Sequence, residues 1–407
     1  MNTNKLWTKN FTIITIGTII SMFGAAVTDF SLGMLILDKT NSTFLYSLFF
    51  VFAMAPKTIV PLFAGPFIDR FSRRKLIYIL DFISCGMFVC LAILFYFDFF
   101  SYPFFLLLAV LFGSVGSFYH VTYDSFYPML ISEGNFSKAY SISSLIYPLA
   151  STIMIPVAAS VYESVGLFPL FVFNSICYFV AAVFEAQIQI EESQIQKENT
   201  NFEFKEEFKE GLNYLKAEKG LLAVTIYFMV IAISGGVIQT LFLPYLNANP
   251  NLTTQQYSLV ISISTLGRMI GALIQYRIVY PKEKRFSIAT FVYASVCIID
   301  MIFFFSPYPM MLGLYLVYGM LAVTSFNIRT SATQSYVPNE KRGRFNGIFS
   351  VFSNVGAVIG QLIGGILGEF IFIPYIIAVC AFLNLLAVYF IIYRNKKEII
   401  PIYNRAI

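Results

Sequence analysis

The sequence has few charged residues and few of the residue types that form metal centres. Only 12% of its 407 residues are charged and 58% are hydrophobic, whereas soluble proteins carry roughly 25% charged residues. A single histidine and five cysteines, which are scattered singly through apolar sequence, exclude a multi-histidine centre, a paired-cysteine metal site and a disulfide framework. A chain of this composition cannot maintain a water-soluble surface.

Motifs for nucleotide and metal chemistry are also missing. The chain contains no G-x-x-x-x-G-K-[ST] phosphate loop and no H-E-x-x-H pair, which excludes the common forms of ATP hydrolysis and zinc catalysis. Basic residues are distributed over several short loops instead of forming one patch, which argues against nucleic-acid binding. We therefore predict that the protein is not an enzyme, has no catalytic residues, and binds no metal, cofactor or nucleic acid.

Long apolar runs are what the sequence does contain. A helix needs about 20 apolar residues to cross a bilayer, and twelve segments meet this requirement. We predict an all-α membrane protein with spans at 11–37, 44–67, 76–97, 104–130, 139–161, 167–187, 220–246, 255–279, 287–305, 310–335, 346–368 and 374–393.

The distribution of basic residues tests this count, because lysine and arginine concentrate in cytoplasmic loops. If the N-terminus is cytoplasmic, 23 of the 27 basic residues fall in cytoplasmic segments and only Lys39 falls in an external loop. One missed or added helix would invert every later loop. We therefore predict that both termini lie in the cytoplasm.

One long polar segment divides the chain near its midpoint. We predict an N-terminal six-helix bundle at 1–190, a cytoplasmic linker at 191–219 and a C-terminal six-helix bundle at 220–407. Within the linker, Phe204, Phe208, Leu212 and Leu215 recur at helical spacing, which predicts an amphipathic helix along the inner membrane surface.

The two halves show weak self-similarity at an offset of about 206 residues. Gly65 at the end of the second span aligns with Gly271 at the end of the eighth. Glu133 after the fourth span aligns approximately with Glu340 after the tenth. With matching span counts, this indicates a duplication of the parallel-repeat type.

The loop between the second and third spans resembles a known family signature. Its sequence GPFIDRFSRRK, from Gly65 to Lys75, is similar to the G-x-x-x-D-R-x-G-R-R-K motif of the major facilitator superfamily, with serine in place of the second glycine. The loops before the fifth and eleventh spans resemble the exporter branch that contains macrolide efflux proteins and the enterobactin exporter. The resemblance implies a twelve-helix transporter with two pseudo-symmetric bundles.

The resemblance also implies a gate at this loop. In the family, the motif aspartate meets the N-terminus of the eleventh helix, here expected near Gly343 to Gly347, where a carboxylate suits the positive helix end. Breaking and remaking this contact would bias the inward-open and outward-open states. If the helix continues past Asp69, Arg73 lies four residues further on and can pair with it. The predicted gating residues are Gly65, Asp69, Arg70, Arg73 and Arg74. The alternative is that the basic residues only anchor the loop in the cytoplasm.

Polar residues inside the spans are the candidates for transport chemistry, because an intramembrane charge is costly. The resemblance implies that the first, fourth, seventh and tenth helices line a central cavity. These helices carry Asp29, the pair His120 and Asp124 on one face, Gln239, and Arg329. A poorly hydrated carboxylate can exchange a proton near neutral pH. We predict that the two aspartates couple to protons and contact a polar or cationic substrate, with Arg329 as counter-charge or substrate anchor.

Two simpler interpretations remain open. Asp124 lies near the inner end of its helix, where it can act as a cap that pairs with loop arginines. Asp81, near the inner end of the third span, can join the cluster formed by Arg73 and Arg74.

The predicted function is export of an amphiphilic or hydrophobic small molecule of the drug, macrolide or siderophore type. We expect a monomeric multidrug antiporter in the plasma membrane, driven by the proton gradient, with the substrate and the lipid bilayer as its partners. The alternatives are an importer or facilitator of a small nutrient on the same fold, or a membrane sensor or lipid-handling protein that does not transport.

Overall fold

Helices make up almost all of the described chain in a computed structural model of the protein. The structure describes residues 5–68, 71–132, 135–190, 204–249, 252–277 and 281–404. Within these ranges no strand forms, and twelve helices are long and apolar enough to cross a membrane. The predicted all-α membrane fold with twelve spans is confirmed.

Fourteen α-helices are numbered here in chain order, of which α1–α6 and α8–α13 are the spans. Their bounds are α1 (Lys9–Thr40), α2 (Thr43–Ile68), α3 (Arg73–Tyr96), α4 (Tyr102–Phe126), α5 (Phe136–Val165), α6 (Phe168–Glu185), α7 (Phe204–Ala217), α8 (Lys219–Ala248), α9 (Thr254–Arg277), α10 (Arg285–Phe303), α11 (Tyr308–Tyr336), α12 (Asn339–Leu367), α13 (Ile373–Ala387) and α14 (Lys396–Tyr403). Helix α13 continues into a π-helical turn, Val388–Tyr393.

Local chemistry explains several helix ends. The Thr8 hydroxyl accepts a hydrogen bond from the Phe11 N–H at 3.2 Å, which caps the start of α1. At its other end Asn41 adopts a left-handed conformation with φ 49°, and its N–H donates to the Leu37 carbonyl at 2.8 Å. These caps satisfy backbone groups that the helix itself leaves unpaired.

Helix α12 begins at Asn339, ahead of the predicted start at residue 346. Pro338, with φ −56° and ψ 145°, is the cap residue, and the lysine and arginines that follow are good helix formers. The expected helix N-terminus near Gly343 to Gly347 is therefore wrong, because these glycines lie inside the helix.

The described chain clusters into two compact units. The first comprises Met1–Asn41 and Phe49–Glu198, and the second comprises Ser42–Leu48 and Asn199–Ile407. In the first unit α3 packs against α6, and α1 packs against both α5 and α6. In the second unit α8 packs against α12, and α9 packs against α11.

The start of α2 clusters with the second unit through a carboxylate. Ser42 Oγ and the Phe44 N–H donate hydrogen bonds to Glu369 Oε1, at 2.6 and 2.8 Å. The negative charge suits this end of the helix, where backbone N–H groups lack intrahelical partners.

Glycines bring α8 and α12 into direct backbone contact. A methyl group on Gly360 would overlap the carbonyl oxygen of Ile233, and one on Gly356 would lie 2.7 Å from the carbonyl oxygen of Met229. The glycines of α12, the eleventh span, therefore pack on α8, the seventh span, as small residues allow in membrane helices.

The linker helix α7 docks on protein. Leu215 is 1% exposed within the core of the second unit. Gly211 lies against Ile348 and Arg344 of α12, and Arg344 forms an ion pair with Glu210 at 2.7 Å. Part of the face predicted to lie on the membrane is thus buried against α12, where Ile348 and the Cβ of Arg344 contact α7.

Candidate functional site

Four charged or ionisable side chains of the first unit form what we call the polar cluster: Asp29 of α1, Lys57 of α2, and His120 and Asp124 of α4. All four are exposed residues of spanning helices. Lys57 is close enough to interact electrostatically with both Asp29 and His120. The structure therefore pairs two of the predicted site residues, His120 and Asp124, and places Lys57 within electrostatic range of both Asp29 and His120.

The clearest contact in the polar cluster joins the two α4 residues. His120 Nδ1 lies 3.1 Å from Asp124 Oδ2, one helical turn away, and their side chains are 77% and 63% exposed. Within the described ranges Asp124 has this histidine, not a loop arginine, as its ion-pair partner. His120 can bind and release a proton in the pH range where histidine ordinarily titrates.

In the second unit, Gln239 of α8 is exposed and its Oε1 accepts a 3.4 Å hydrogen bond from Gln361 Nε2 of α12. Gln361 is 3% exposed, and its own Oε1 is buried without a hydrogen-bond partner in the described structure. Two amides at the glycine-rich α8–α12 contact thus offer polar groups in otherwise apolar surroundings.

Arg329 of α11 lies among aromatic rings. Its guanidinium carbon is 4.4 Å from the ring centre of Phe349 and 5.2 Å from those of Phe228 and Phe326. Among the described residues no carboxylate lies within ion-pair distance, and Arg329 Nε has no hydrogen-bond partner. Arg329 therefore carries a charge that the surrounding π-faces stabilise only in part.

The predicted gating residues are described only in part. Gly65 lies in α2, whereas Asp69 and Arg70 lie outside the described residues. Arg73 Nη1 contacts Met129 Sδ at 3.3 Å, and Arg74 Nη2 donates to the carbonyl of Ala186 at 2.8 Å.

A helix that continues from Asp69 to Arg73 does not form. Helix α2 ends at Ile68, and Ser72, with extended geometry at φ −64° and ψ 118°, caps α3 by accepting from the Lys75 N–H at 3.3 Å. The condition for a one-turn spacing between Asp69 and Arg73, a continuous helix, is therefore not met, because a serine cap starts a new helix before Arg73.

At the offset of about 206 residues, the position in the second unit that corresponds to Asp69 is Gln275, a neutral residue held by two hydrogen bonds. Gln275 Nε2 donates to Thr324 Oγ1 at 2.7 Å, and Gln275 Oε1 accepts from Asn327 Nδ2 at 2.9 Å. These bonds tie α9 to α11 without any charge.

Glu185 is a residue that sequence reasoning missed. It is the last residue of α6, is 1% exposed, and lies within hydrogen-bonding reach of Asp81, which is 2% exposed. The alternative that placed Asp81 with Arg73 and Arg74 is wrong, because its side chain meets α6 instead. The position of Glu185 inside the predicted span 167–187 was the available indication.

Metal binding finds no support in the described part of the chain, where no group of three or more histidine, cysteine, aspartate or glutamate side chains is arranged to hold an ion. The chemistry open to these sites is proton exchange, hydrogen bonding and contact with charged or aromatic groups.

Comparison with known proteins agrees with this architecture. The family model described as Major Facilitator Superfamily matches residues 14–343 and 231–402. Macrolide efflux protein A of Streptococcus pyogenes is 20% identical over 278 residues, which is 67% of this chain and 68% of the relative. An MFS-type transporter of Bacillus subtilis, YkuC, is 20% identical over 288 residues, 66% of each chain.

Solved structures share the fold. The nucleoside transporter NupG superposes with a TM-score of 0.73 at 11% identity, covering 96% of this chain and 100% of the other. A bacterial homologue of the iron transporter ferroportin, in an inward-facing state, gives 0.73 at 13% identity, covering 95% and 99%. The family match over most of the sequence, together with this fold, shows that the chain belongs to the major facilitator superfamily.

Proposed function

We propose that this membrane transporter exports an amphiphilic or hydrophobic small molecule by alternating access, in exchange for protons. The surroundings of Arg329 are the observation that carries the proposal. A guanidinium lying on three aromatic rings presents both a charge and flat apolar surface, which suits a cargo with a polar group on a hydrophobic body. The similarity to macrolide efflux protein A supports the outward direction.

Proton exchange is proposed for the polar cluster. His120 and Asp124 are paired at 3.1 Å and exposed, so a substrate that binds here can compete with a proton for the same groups. Asp29 and Gln239 would contribute further polar contacts. Energy then comes from the proton gradient with no bound cofactor. We further propose that the protein acts as a monomer in the plasma membrane with both termini cytoplasmic.

Gating is proposed for the motif loop. Gly65, Asp69, Arg70, Arg73 and Arg74 would control which side of the membrane is open. Asp69→Asn should reduce transport while membrane insertion stays normal, and transport at the wild-type rate would remove this role.

Cellular accumulation tests the function directly. Cells that express the protein should retain less macrolide or fluorescent amphiphilic dye than control cells, and a protonophore should abolish the difference. Asp124→Asn should weaken efflux. Asp98→Asn is the matched control, because Asp98 is an exposed carboxylate in the turn after α3, where it pairs with Lys39.

Two results would overturn the proposal. A higher cell content of the compound on expression would refute export and favour an importer. Unchanged content across a broad panel of compounds, with wild-type protein correctly inserted, would refute transport and favour the sensor.

A further inference from the structure

Two acidic side chains that are not members of the polar cluster lie in the interior of the first unit. Asp81 lies about 12 Å along α3 from its first residue, at about 1.5 Å per residue, and Glu185 ends α6. Both are almost completely buried, at 2% and 1% exposed. Neither belongs to a helix that the family resemblance assigns to the central cavity.

The fold makes room for this pair. A methyl group on Gly17 of α1 would lie 2.9 Å from Glu185 Cγ and 3.1 Å from its Oε1. Glycine at this position therefore lets α1 pass directly over the glutamate side chain. Any larger residue would press Glu185 away from its present position.

The contact between the two carboxyl groups has a chemical requirement. Helices α3 and α6 pack against each other, and Asp81 Oδ2 and Glu185 Oε2 are both buried with no other hydrogen-bond partner in the described structure. The two carboxyl groups are the hydrogen-bonding neighbours of each other. An ionised carboxylate only accepts hydrogen bonds, so a hydrogen bond between two carboxyl groups requires that one of them carry a proton. Two ionised carboxylates in contact at a buried site would also repel each other strongly.

No cation in the described part of the chain replaces this proton. Among the described residues no lysine or arginine lies within ion-pair distance of either carboxyl. Arg74, in the first turn of α3, donates a hydrogen bond to the carbonyl of Ala186, the residue after Glu185, at 2.8 Å. The other titratable neighbours are phenols: Tyr119 donates to Glu185 Oε1 at 3.1 Å, and Tyr123 and Tyr178 interact electrostatically with Glu185 and Asp81 respectively.

Helix α4 connects this buried pair with the polar cluster. Tyr119, which donates to Glu185, directly precedes His120 in the chain. Its ring stacks on that of Tyr123 at a centroid distance of 6.1 Å. A movement of α4 that alters the exposed histidine therefore also alters the phenol that holds Glu185.

We propose that Asp81 and Glu185 together bind one exchangeable proton and form a proton site of the first unit outside the cavity-lining helices. The proton exchanges with the cytoplasm through Glu185, which lies at the end of α6. The binding itself is independent of the cargo, and only the use of the proton in transport rests on the proposed function.

Infrared spectroscopy of the purified protein in lipid nanodiscs tests the site without a substrate. Wild-type protein should show a protonated carboxyl C=O band at neutral pH that is missing from the double variant D81N/E185Q. This band should shift when water is replaced by D₂O and should disappear as the pH is raised. D300N is the matched control, since Asp300 is also buried, at 6% exposed, in a span of the second unit; it should leave the band of the pair intact.

Single variants provide a test that does not depend on correct folding of the double variant. In E185Q the amide can donate to Asp81, so the pair no longer needs its proton, and the band should titrate at a lower pH than in the wild type. G17A should also shift the band, because the added methyl displaces Glu185.

The proposal is overturned if wild type and D81N/E185Q have the same carboxyl bands at neutral pH. It is also overturned if the band does not shift in D₂O, because the proton is then not exchangeable. Failure of the proposed function is a separate result. Cells with normal amounts of wild-type protein would then show no efflux, while the infrared difference between wild type and double variant would persist.

Discussion

Replacement of Arg329 by methionine would measure separately what this intramembrane charge costs in stability and what it contributes to transport. Each cation–π contact contributes about 0.5–1 kcal/mol, so the three rings around the guanidinium give about 1.5–3 kcal/mol. An arginine near the centre of a membrane helix costs about 2.5–3.5 kcal/mol. These effects nearly cancel, and a methionine sulfur over the same rings recovers some of the lost contact. We therefore expect Arg329→Met to change the free energy of unfolding by less than about 1 kcal/mol.

Transport should respond differently. If Arg329 anchors the cargo, loss of one charged contact of about 1.5–3 kcal/mol weakens binding by at least about tenfold. Efflux at low substrate concentration should fall accordingly. Both quantities can be measured on one preparation: thermal denaturation of the purified protein gives stability, and efflux from proteoliposomes gives transport. Arg268→Met, which removes another arginine from a span of the second unit, is the matched control and should retain efflux.

A normal efflux rate in Arg329→Met would refute the anchoring role. A large loss of stability would refute the energetic reasoning, because the aromatic contacts would then outweigh the cost of the charge. Only a stable variant with impaired transport agrees with a residue retained for function.

Three further changes have expected outcomes. Gly360→Ala should destabilise the protein by about 1–3 kcal/mol, because it separates packed backbones, whereas Gly235→Ala, with open space around it, should not; equal melting temperatures would contradict the described packing. His120→Gln should flatten the pH dependence of efflux between about pH 5 and 8, and an unaltered profile would exclude this histidine from proton exchange. Leu215→Ala should cost about 2–5 kcal/mol in unfolding free energy if α7 is part of the core, and a loss below that range would indicate that it is not.

The spans were predictable because bilayer thickness imposes a length on every apolar run. Sequence alone therefore gives the twelve helices and most of their bounds. It misplaced the start of α12. The charged residues just after Pro338 lie before the apolar run and so outside the predicted span, but they are already helical. Hydropathy measures contact with lipid, and a helix can extend past the lipid.

The site was predictable where partners are close in sequence. His120 and Asp124 are one turn apart, so helical geometry alone placed them together. Asp81 and Glu185 come from helices separated by two others, and only the packing of α3 on α6 brings them into contact. No spacing in the sequence encodes that distance. The rings around Arg329 likewise come from three helices, α8, α11 and α12.

The glycine contact between α8 and α12 has a mechanical consequence. Side chains with several rotamers can exchange partners as helices slide, but backbone carbonyls resting on bare glycine carbons have no alternative arrangement. The two helices should therefore move as one rigid body in any conformational change of the second unit. Helix α7 contacts α12 through Gly211 and continues almost directly into α8. A displacement of the linker would then move α8 and α12 together. The linker would therefore influence the conformation of the second unit in addition to connecting it to the first.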